Sequence, residues 1–460
     1  MKLSRIMLAA PSSGSGKTLI TCGLLAVLKK RGLKTAAFKC GPDYIDPMFH
    51  SRVLGIKSRN LDPFFSSEEV LKGLLAENAK GFDISVIEGV MGYYDGLSGA
   101  SDKASAYEVA DITDTPVILI VNCKGAGLSL AAQIKGFSEF RENSHIEGVI
   151  LNRISAGLYK RMKEAVSRET GIKVLGYVPE IGFTLESRHL GLLMPDEISD
   201  IKEKIGELSD ILEESLDIEG IIALADGADE IYPGSDLSEF HKWEGYEKAA
   251  FRPLRIGVAL DEAFCFFYAD DLDLLKKMGA ELVFFSPVHD GHLPGDLNGL
   301  LLFGGYPELH AKALSENASM KKGIKEAIEG GLPAIAQCGG FMYLHETMQA
   351  EDGNYYPMAG VIKGTVHKKN SLTRFGYAIL SGGKAFGKDT GPLACHEFHY
   401  YDSENTGNAF LAQKPLSSVS WRCMHSSETL LCGFPHTYFY SNKELAKAFM
   451  QAALRRQNAR

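Results

Sequence analysis

Hydrophobic and polar positions along the first half of the chain follow two alternating patterns. Short unbroken apolar runs lie at 34–39, 83–88, 115–121, 147–151 and 173–178, separated by stretches such as 17–30 and 127–141 whose apolar positions recur three and four apart. Runs of the first kind mark strands buried on both faces, and the 3.6-residue period marks helices. Strand and helix taken in turn predict a mainly parallel sheet with helices on both faces. From about 205 to 252 the pattern dissolves into acidic sequence containing Gly and Pro, which reads as an inter-domain connection. A second α/β pattern follows, with strands at 255–260, 281–286, 300–303 and 333–337 and helices at 267–278 and 318–329. Residues 355–435 read as short strands and turns, and a last helix over 441–457 gathers Lys and Arg toward its end, as the helix dipole favours. The expected division is a domain over 1–225, a linker over 226–252 and a second domain over 253–460.

Composition narrows the class. With 45% hydrophobic and 23% charged residues over 460 positions, the chain has material for a folded core and for two or three domains of about 150 residues each. A net charge of −9 without a basic stripe argues against nucleic acid and for small-molecule partners. No apolar run has the length of a membrane span, and the N-terminal run has no signal-peptide cleavage pattern, so a cytoplasmic location is expected. The eight cysteines include no CxxC pair, which indicates neither a zinc site nor a disulfide framework.

Several segments carry candidate chemistry. The apolar run Ile6–Ala10 enters Pro-Ser-Ser-Gly-Ser-Gly-Lys-Thr and passes straight into a helix, a phosphate-binding loop with Pro11 in place of the usual first glycine. There Gly14, Ser15 and Gly16 let the backbone N–H groups wrap an anion, Lys17 supplies a point charge for the outer phosphates, and Thr18 offers a hydroxyl to Mg²⁺. The segment FKCGPDYIDPMFH (38–50) ends a strand in a turn with Asp43 and Asp46, which either hold metal or substrate or simply form the turn. In VIEGVMGYYDG (86–96), Glu88 directly follows a strand, where an acidic residue reaches Mg²⁺, while Asp95 on the loop is a second candidate or a cap. In the second half, the strand 333–337 delivers Cys338-Gly339-Gly340 and a helix, a strand-to-helix elbow that exposes a nucleophile, favours its thiolate, and leaves the N–H of Gly339 to hold an oxyanion. Gly304 and Gly305 in LLFGGYPE supply a second glycine turn with an oxyanion donor, and His436 is the candidate base, although a lone histidine is more often structural. His396 and His399 in CHEFHYY fall one residue short of a zinc-helix spacing and read as substrate contact or structure.

Taken together these motifs resemble the cobyrinic acid a,c-diamide synthases. The likeness spans essentially the whole chain and rests on APSSGSGKT (10–18), FKCGPDYIDPMFH, SRNLDPFF (58–65), VIEGVMGYYDG, ILNRI (150–154), ESRHLGLL (186–193), FGGYPELHA, QCGGFMYL (337–344), RFGYAIL (374–380) and HEFHYYDS. It implies a P-loop, dethiobiotin-synthetase-like ATP domain followed by a flavodoxin-like class I glutamine amidotransferase domain. The expected activity is ATP- and glutamine-dependent amidation of the a and c acetates of a tetrapyrrole, cobyrinic acid, in cobalamin biosynthesis. The resemblance places Lys17 and Thr18 on ATP·Mg²⁺ and Asp46 and Glu88 on the metal, with Asp43 and Asp95 toward metal and substrate carboxylate. Tyr44 and Ile45, between the two carboxylates of the turn, would set which acetate reaches ATP first. Cys338 becomes the glutamine nucleophile and His436 its base, with ammonia passing to an acyl phosphate, and a homodimer is carried as the assembly. Three departures stand out: Gln337 for a Glu before the nucleophile, Asn122 for an Asp ending a strand, and no carboxylate two residues after His436. The rival readings are a synthase amidating nickel-sirohydrochlorin, more remotely CTP synthase, and a partitioning-type ATPase that keeps a glutaminase-like module for binding.

Overall fold

The computed structural model describes residues 1–183, 187–188, 191–192, 200–233 and 237–459, so half of ESRHLGLL lies outside the described residues. The chain divides into two compact units, Met1–Asp236 and Leu237–Arg460. In the first, seven strands form one sheet: β1 (Arg5–Ala9), β2 (Thr35–Cys40), β3 (Ser58–Leu61), β4 (Ile84–Glu88), β5 (Val117–Asn122), β6 (Ile146–Asn152) and β7 (Lys173–Val178). Their order is β3-β2-β4-β1-β5-β6-β7, and every pair is parallel. The unbroken apolar runs are explained by burial on both faces, with Ile6, Met7, Leu8, Ile118 and Leu119 all fully buried. Helix α1 (Lys17–Lys30) leaves β1 at the carboxyl edge of the sheet, where β4 also ends, so the phosphate loop and Glu88 meet at one rim.

Two stretches differ from the sequence expectation. The connection expected from about 205 begins later, because helices Ile201–Ser215 and Ile218–Gly227 continue the first unit. Ile201, Ile205, Leu208 and Leu212 form one buried stripe at helical spacing, which the acidic residues on the opposite face obscure in the sequence. Gly23 admits this helix to α1, since a Cβ there would lie 2.5 Å from Leu212 Cδ1 and 2.8 Å from Leu208 Cγ. The rest of the expected linker holds short helices, Ser238–His241 and Tyr246–Phe251.

The second unit contains a six-stranded sheet in the order Ala280–Phe285, Leu254–Ala259, Gly299–Leu302, Ala334–Gln337, Leu430–Gly433, His425–Ser426, parallel except for the last strand. The stretch read as short strands and turns instead holds two long antiparallel strands, Ile362–Ser381 and Leu393–Ser403, at the centre of another sheet. The first carries a polar run, His367-Lys368-Lys369-Asn370-Ser371, that breaks the alternation expected of a strand. Its register shifts between Thr373 and Gly376, and Arg374 sits there at φ 54°, a bulge that turns this side chain out of the pleat. Among the described residues no helix is long and apolar enough to cross a membrane.

Candidate functional site

Each unit carries its own cluster of reactive groups. In the first, Gly14 and Gly16 take φ of 75° and 93°, a region open to glycine, and the turn they make starts α1 at Lys17. Asn152, from ILNRI, donates from Nδ2 to Ser15 O (2.8 Å) and packs against Gly16, pinning the loop from β6. Lys17 Nζ donates to Met91 O (2.5 Å) and Ser12 O (3.3 Å), so the loop after β4 folds over the phosphate loop. Burial, then the charge of Lys39, pushes the Lys17 ammonium down to about 8, a cost that phosphate oxygens would relieve.

Behind the loop lies a buried acidic pocket. Thr18 Oγ1 donates to Glu88 Oε1 (2.6 Å) and to Asp46 Oδ2 (3.3 Å). Lys39 Nζ bridges the same carboxylates, 2.6 Å from Asp46 Oδ2 and 2.9 Å from Glu88 Oε1. Burial works to raise the Glu88 carboxyl, but Lys39, His50 and Thr18 together hold it well below the usual range. Burial, with Asp43 and Glu88 nearby, pushes Asp46 the other way despite Lys39. One lysine thus faces two buried carboxylates, while His50 Nε2 lies 3.3 Å from the other oxygen of Glu88, Oε2. Hydroxyl and carboxylate oxygens short of positive charge fit a hard divalent cation. Among the described residues no three His, Cys, Asp or Glu side chains group as a metal cage, so such an ion would complete its shell from phosphate and water.

The other first-unit candidates have local duties. Asp43 Oδ1 accepts from Ile45 N (2.9 Å) and Asp46 N (3.1 Å), capping the short helix Ile45–Met48. Ile45 is buried beneath the turn and Tyr44 is half-buried beside it. Asp95 Oδ2 accepts from Gly92 N (3.0 Å), closing the loop that carries Met91. Asn60, from SRNLDPFF, holds the GPDYIDP turn through Gly41 O (2.9 Å) and Asp43 O (2.7 Å). Lys39 and His50 are not among the residues singled out in the sequence, although both stand in FKCGPDYIDPMFH; for Lys39 a charge inside an apolar strand is the available signal.

In the second unit, Cys338 sits between strand Ala334–Gln337 and helix Gly339–Tyr343 at φ 47° and ψ −105°, a strained elbow conformation. Its N–H donates to Gly433 O (2.8 Å), tying it to the strand that leads toward His436. Gln337 Nε2 donates to Thr437 Oγ1 (2.6 Å), so the residue in the usual Glu position fastens the nucleophile's strand to the histidine's. A Cβ at Gly304 would lie 2.5 Å from His436 Cε1 and 3.3 Å from Nε2, which puts the imidazole edge against this turn. Gly305 takes φ 153°, and its N lies 3.1 Å from where a Cβ on Gly339 would stand, so both glycine turns meet at the elbow.

Electrostatics at the elbow differ from the sequence expectation. Burial, then Glu308 and Glu397, pushes the Cys338 thiol up, and the helix beyond it has only five residues, so no thiolate is pre-formed. Burial, then His399, pushes His436 down to about 3, leaving the imidazole neutral and able to take a proton.

A phosphate loop at the rim of one parallel sheet and a cysteine elbow at the rim of another are the two halves of a glutamine-dependent, ATP-driven synthetase. Residues 6–190 match the CobQ/CobB/MinD/ParA nucleotide binding domain, and residues 255–441 match the CobB/CobQ-like glutamine amidotransferase domain. A cobyrinate a,c-diamide synthase of Listeria innocua is 37% identical over 98% of this chain and 100% of its own length. Those of Priestia megaterium and Caldanaerobacter subterraneus are 35% and 37% identical over 98% and 96% of this chain, each along 97% of its own length. The chain belongs to the cobyrinate a,c-diamide synthase family.

Proposed function

We propose that the protein is an ATP- and glutamine-dependent ligase that amidates the a and c acetate carboxylates of cobyrinic acid in cobalamin biosynthesis. The observation that carries this reading is full-length similarity to cobyrinate a,c-diamide synthases, together with an intact P-loop and an intact cysteine elbow in one chain. In the first half-reaction an acetate oxygen attacks the γ-phosphorus of ATP, ADP leaves, and an acyl phosphate forms. Gly14, Ser15 and Gly16 offer backbone N–H groups to the phosphates, and Lys17 neutralises the oxygens on which charge develops. Thr18, Asp46 and Glu88 would hold Mg²⁺, which when bound neutralises and orients the phosphates. Asp43 and Asp95 shape the turns on either side, with Tyr44 and Ile45 between the Asp43 cap and Asp46 tuning the choice of acetate.

In the second half-reaction His436 takes the Cys338 proton as Sγ attacks the side-chain amide carbon of glutamine. The oxyanion is met by N–H groups of the Gly304-Gly305 turn and Gly339, ammonia leaves, and water hydrolyses the thioester to glutamate. Ammonia attacks the acyl carbon and displaces phosphate, and the cycle repeats on the second acetate. Mg²⁺ as cofactor, small molecules as partners, a cytoplasmic location and a homodimer belong to the same reading.

The test offers cobyrinic acid and nickel-sirohydrochlorin side by side with ATP, Mg²⁺ and glutamine. Mass spectrometry should show mono- and then diamidated cobyrinic acid. Turnover of nickel-sirohydrochlorin alone would reassign the tetrapyrrole.

A further inference from the structure

The second unit holds a buried carboxylate that the mechanism above leaves unused. Glu397, on strand Leu393–Ser403, is fully buried. Its Oε2 accepts from Arg374 Nε (3.2 Å) and faces His399 Nε2 (2.8 Å), whose Nδ1 lies 2.6 Å from Tyr401 O. Arg374 is turned toward it by the bulge at φ 54°, and its other arm is anchored on Asp402 Oδ1 (2.6 Å). His399 stacks on Phe434 with ring centroids 4.1 Å apart, and the Arg374 guanidinium lies 5.5 Å from the centroid of the same ring. Phe434 directly follows Gly433, whose carbonyl accepts from Cys338 N, so the whole cluster abuts the nucleophile's elbow.

One oxygen of this carboxylate has Arg374 and His399 against it while the other, Oε1, is buried with no hydrogen-bond partner among the described residues. A buried charged acceptor left bare is costly, and each such group calls for an explanation. The missing partner must be a donor, since an ionised carboxylate oxygen only accepts, and the ligand that the neighbouring Cys338 would attack is glutamine. Glutamine brings one such group, its α-ammonium. We infer that Glu397 Oε1 receives the α-ammonium of the glutamine donor, with Arg374 and His399 holding the carboxylate in place. The inference rests on the reading of Cys338 as the glutamine nucleophile. The charge of Glu397 reaches the Cys338 thiol, where after burial and Glu308 it helps to hold the thiol protonated, and a bound ammonium would counter that field.

The experiment compares glutamine with glutaramate, which lacks only the α-amino group, by the release of ammonia. Wild-type kcat/KM should favour glutamine by about 10–150-fold, the worth of one hydrogen bond to a charged group. Glu397→Gln puts an N–H₂ where Oε1 stood and should erase that preference, lowering kcat/KM for glutamine while leaving glutaramate hydrolysis and ammonia-driven amidation within about threefold. Glu397→Asp keeps the charge for Arg374 but withdraws it, and should give an intermediate preference, which decides the matter if the glutamine variant does not fold. Equal loss on both amides in either variant would mean that Glu397 acts on the catalytic pair and overturns the inference. So would an unchanged preference, or equal use of both amides by the wild type. A wild type that hydrolyses neither amide would bring down the glutaminase reading itself, a result distinct from all of these.

Discussion

At Lys39 a single ammonium is shared by two buried carboxylates. Removing it would leave Glu88 and Asp46 facing each other without their shared ammonium, whereas burying the same charges with it is tolerated. Lys39→Met should therefore destabilise the first unit by about 3–5 kcal/mol in a chemical denaturation titration. It should also abolish amidation from glutamine and from ammonia alike, since both use the same acyl phosphate. Full stability in this variant would mean that the carboxylates share a proton without help. His50 shows a related economy, with Nδ1 3.1 Å from Ser58 Oγ and Nε2 3.3 Å from Glu88 Oε2, which orients the carboxylate from the far side. Neither residue stands out in the sequence as a site residue, because a lysine or a histidine next to an apolar strand has many structural uses. The strand, turn and helix around Gly14, Gly16, Lys17 and Thr18 were legible because an apolar run and a helical period flank a glycine turn.

Among the elements, legibility followed burial. The strands β2, β4, β5, β6 and β7 were visible as apolar runs because both faces of a parallel sheet exclude water. β3 escaped notice, since Ser58-Arg59-Asn60-Leu61 contains one apolar residue and serves the site through Asn60 and Ser58. The helix Ile201–Ser215 was hidden by its acidic face, yet its apolar stripe closes directly on Gly23 of α1. Gly23→Val should force Leu208 and Leu212 off their rotamers and cost about 1–3 kcal/mol, seen as a lower denaturation midpoint with an unchanged slope. Three strands of the second unit, His345–Gln349, Leu393–Ser403 and His436–Thr437, each place a buried histidine in its interior. Burial comes first in every case and pushes His345 down to about 4 and His396 and His436 to about 3. The unfolded chain takes up these protons near pH 6.5 and the folded chain refuses them. Stability is thus untouched above about pH 6.5 and falls below it by about 1.4 kcal/mol per pH unit for each histidine. Three together approach about 4 kcal/mol per unit against a typical domain stability of about 5–15 kcal/mol. The second unit should unfold cooperatively on acidification with a midpoint on the order of pH 4–5, followed by circular dichroism. A native spectrum at pH 3 would show that the histidines titrate in the folded state.

For the whole molecule, the two units divide a single reaction between an electrophile and a nucleophile. In the proposed reaction the first builds an acyl phosphate and the second frees ammonia from glutamine, which in bulk water at neutral pH would be mostly protonated and unreactive. The division into two α/β units was readable because each half repeats the strand-and-helix alternation and each ends a strand in a glycine turn. What surrounds the reactive cysteine was not, since Gln337, Arg374, Glu397 and Thr437 are far apart in sequence and meet only through strand pairing. The central claim is that Cys338 supplies ammonia and nothing else. The most direct measurement is formation of cobyrinic acid a,c-diamide by Cys338→Ala with ATP and Mg²⁺, driven once by glutamine and once by an ammonium salt. The account predicts no product from glutamine and, from ammonia, a rate within about threefold of wild type. Product from glutamine, or loss of both activities in a folded variant, would contradict it.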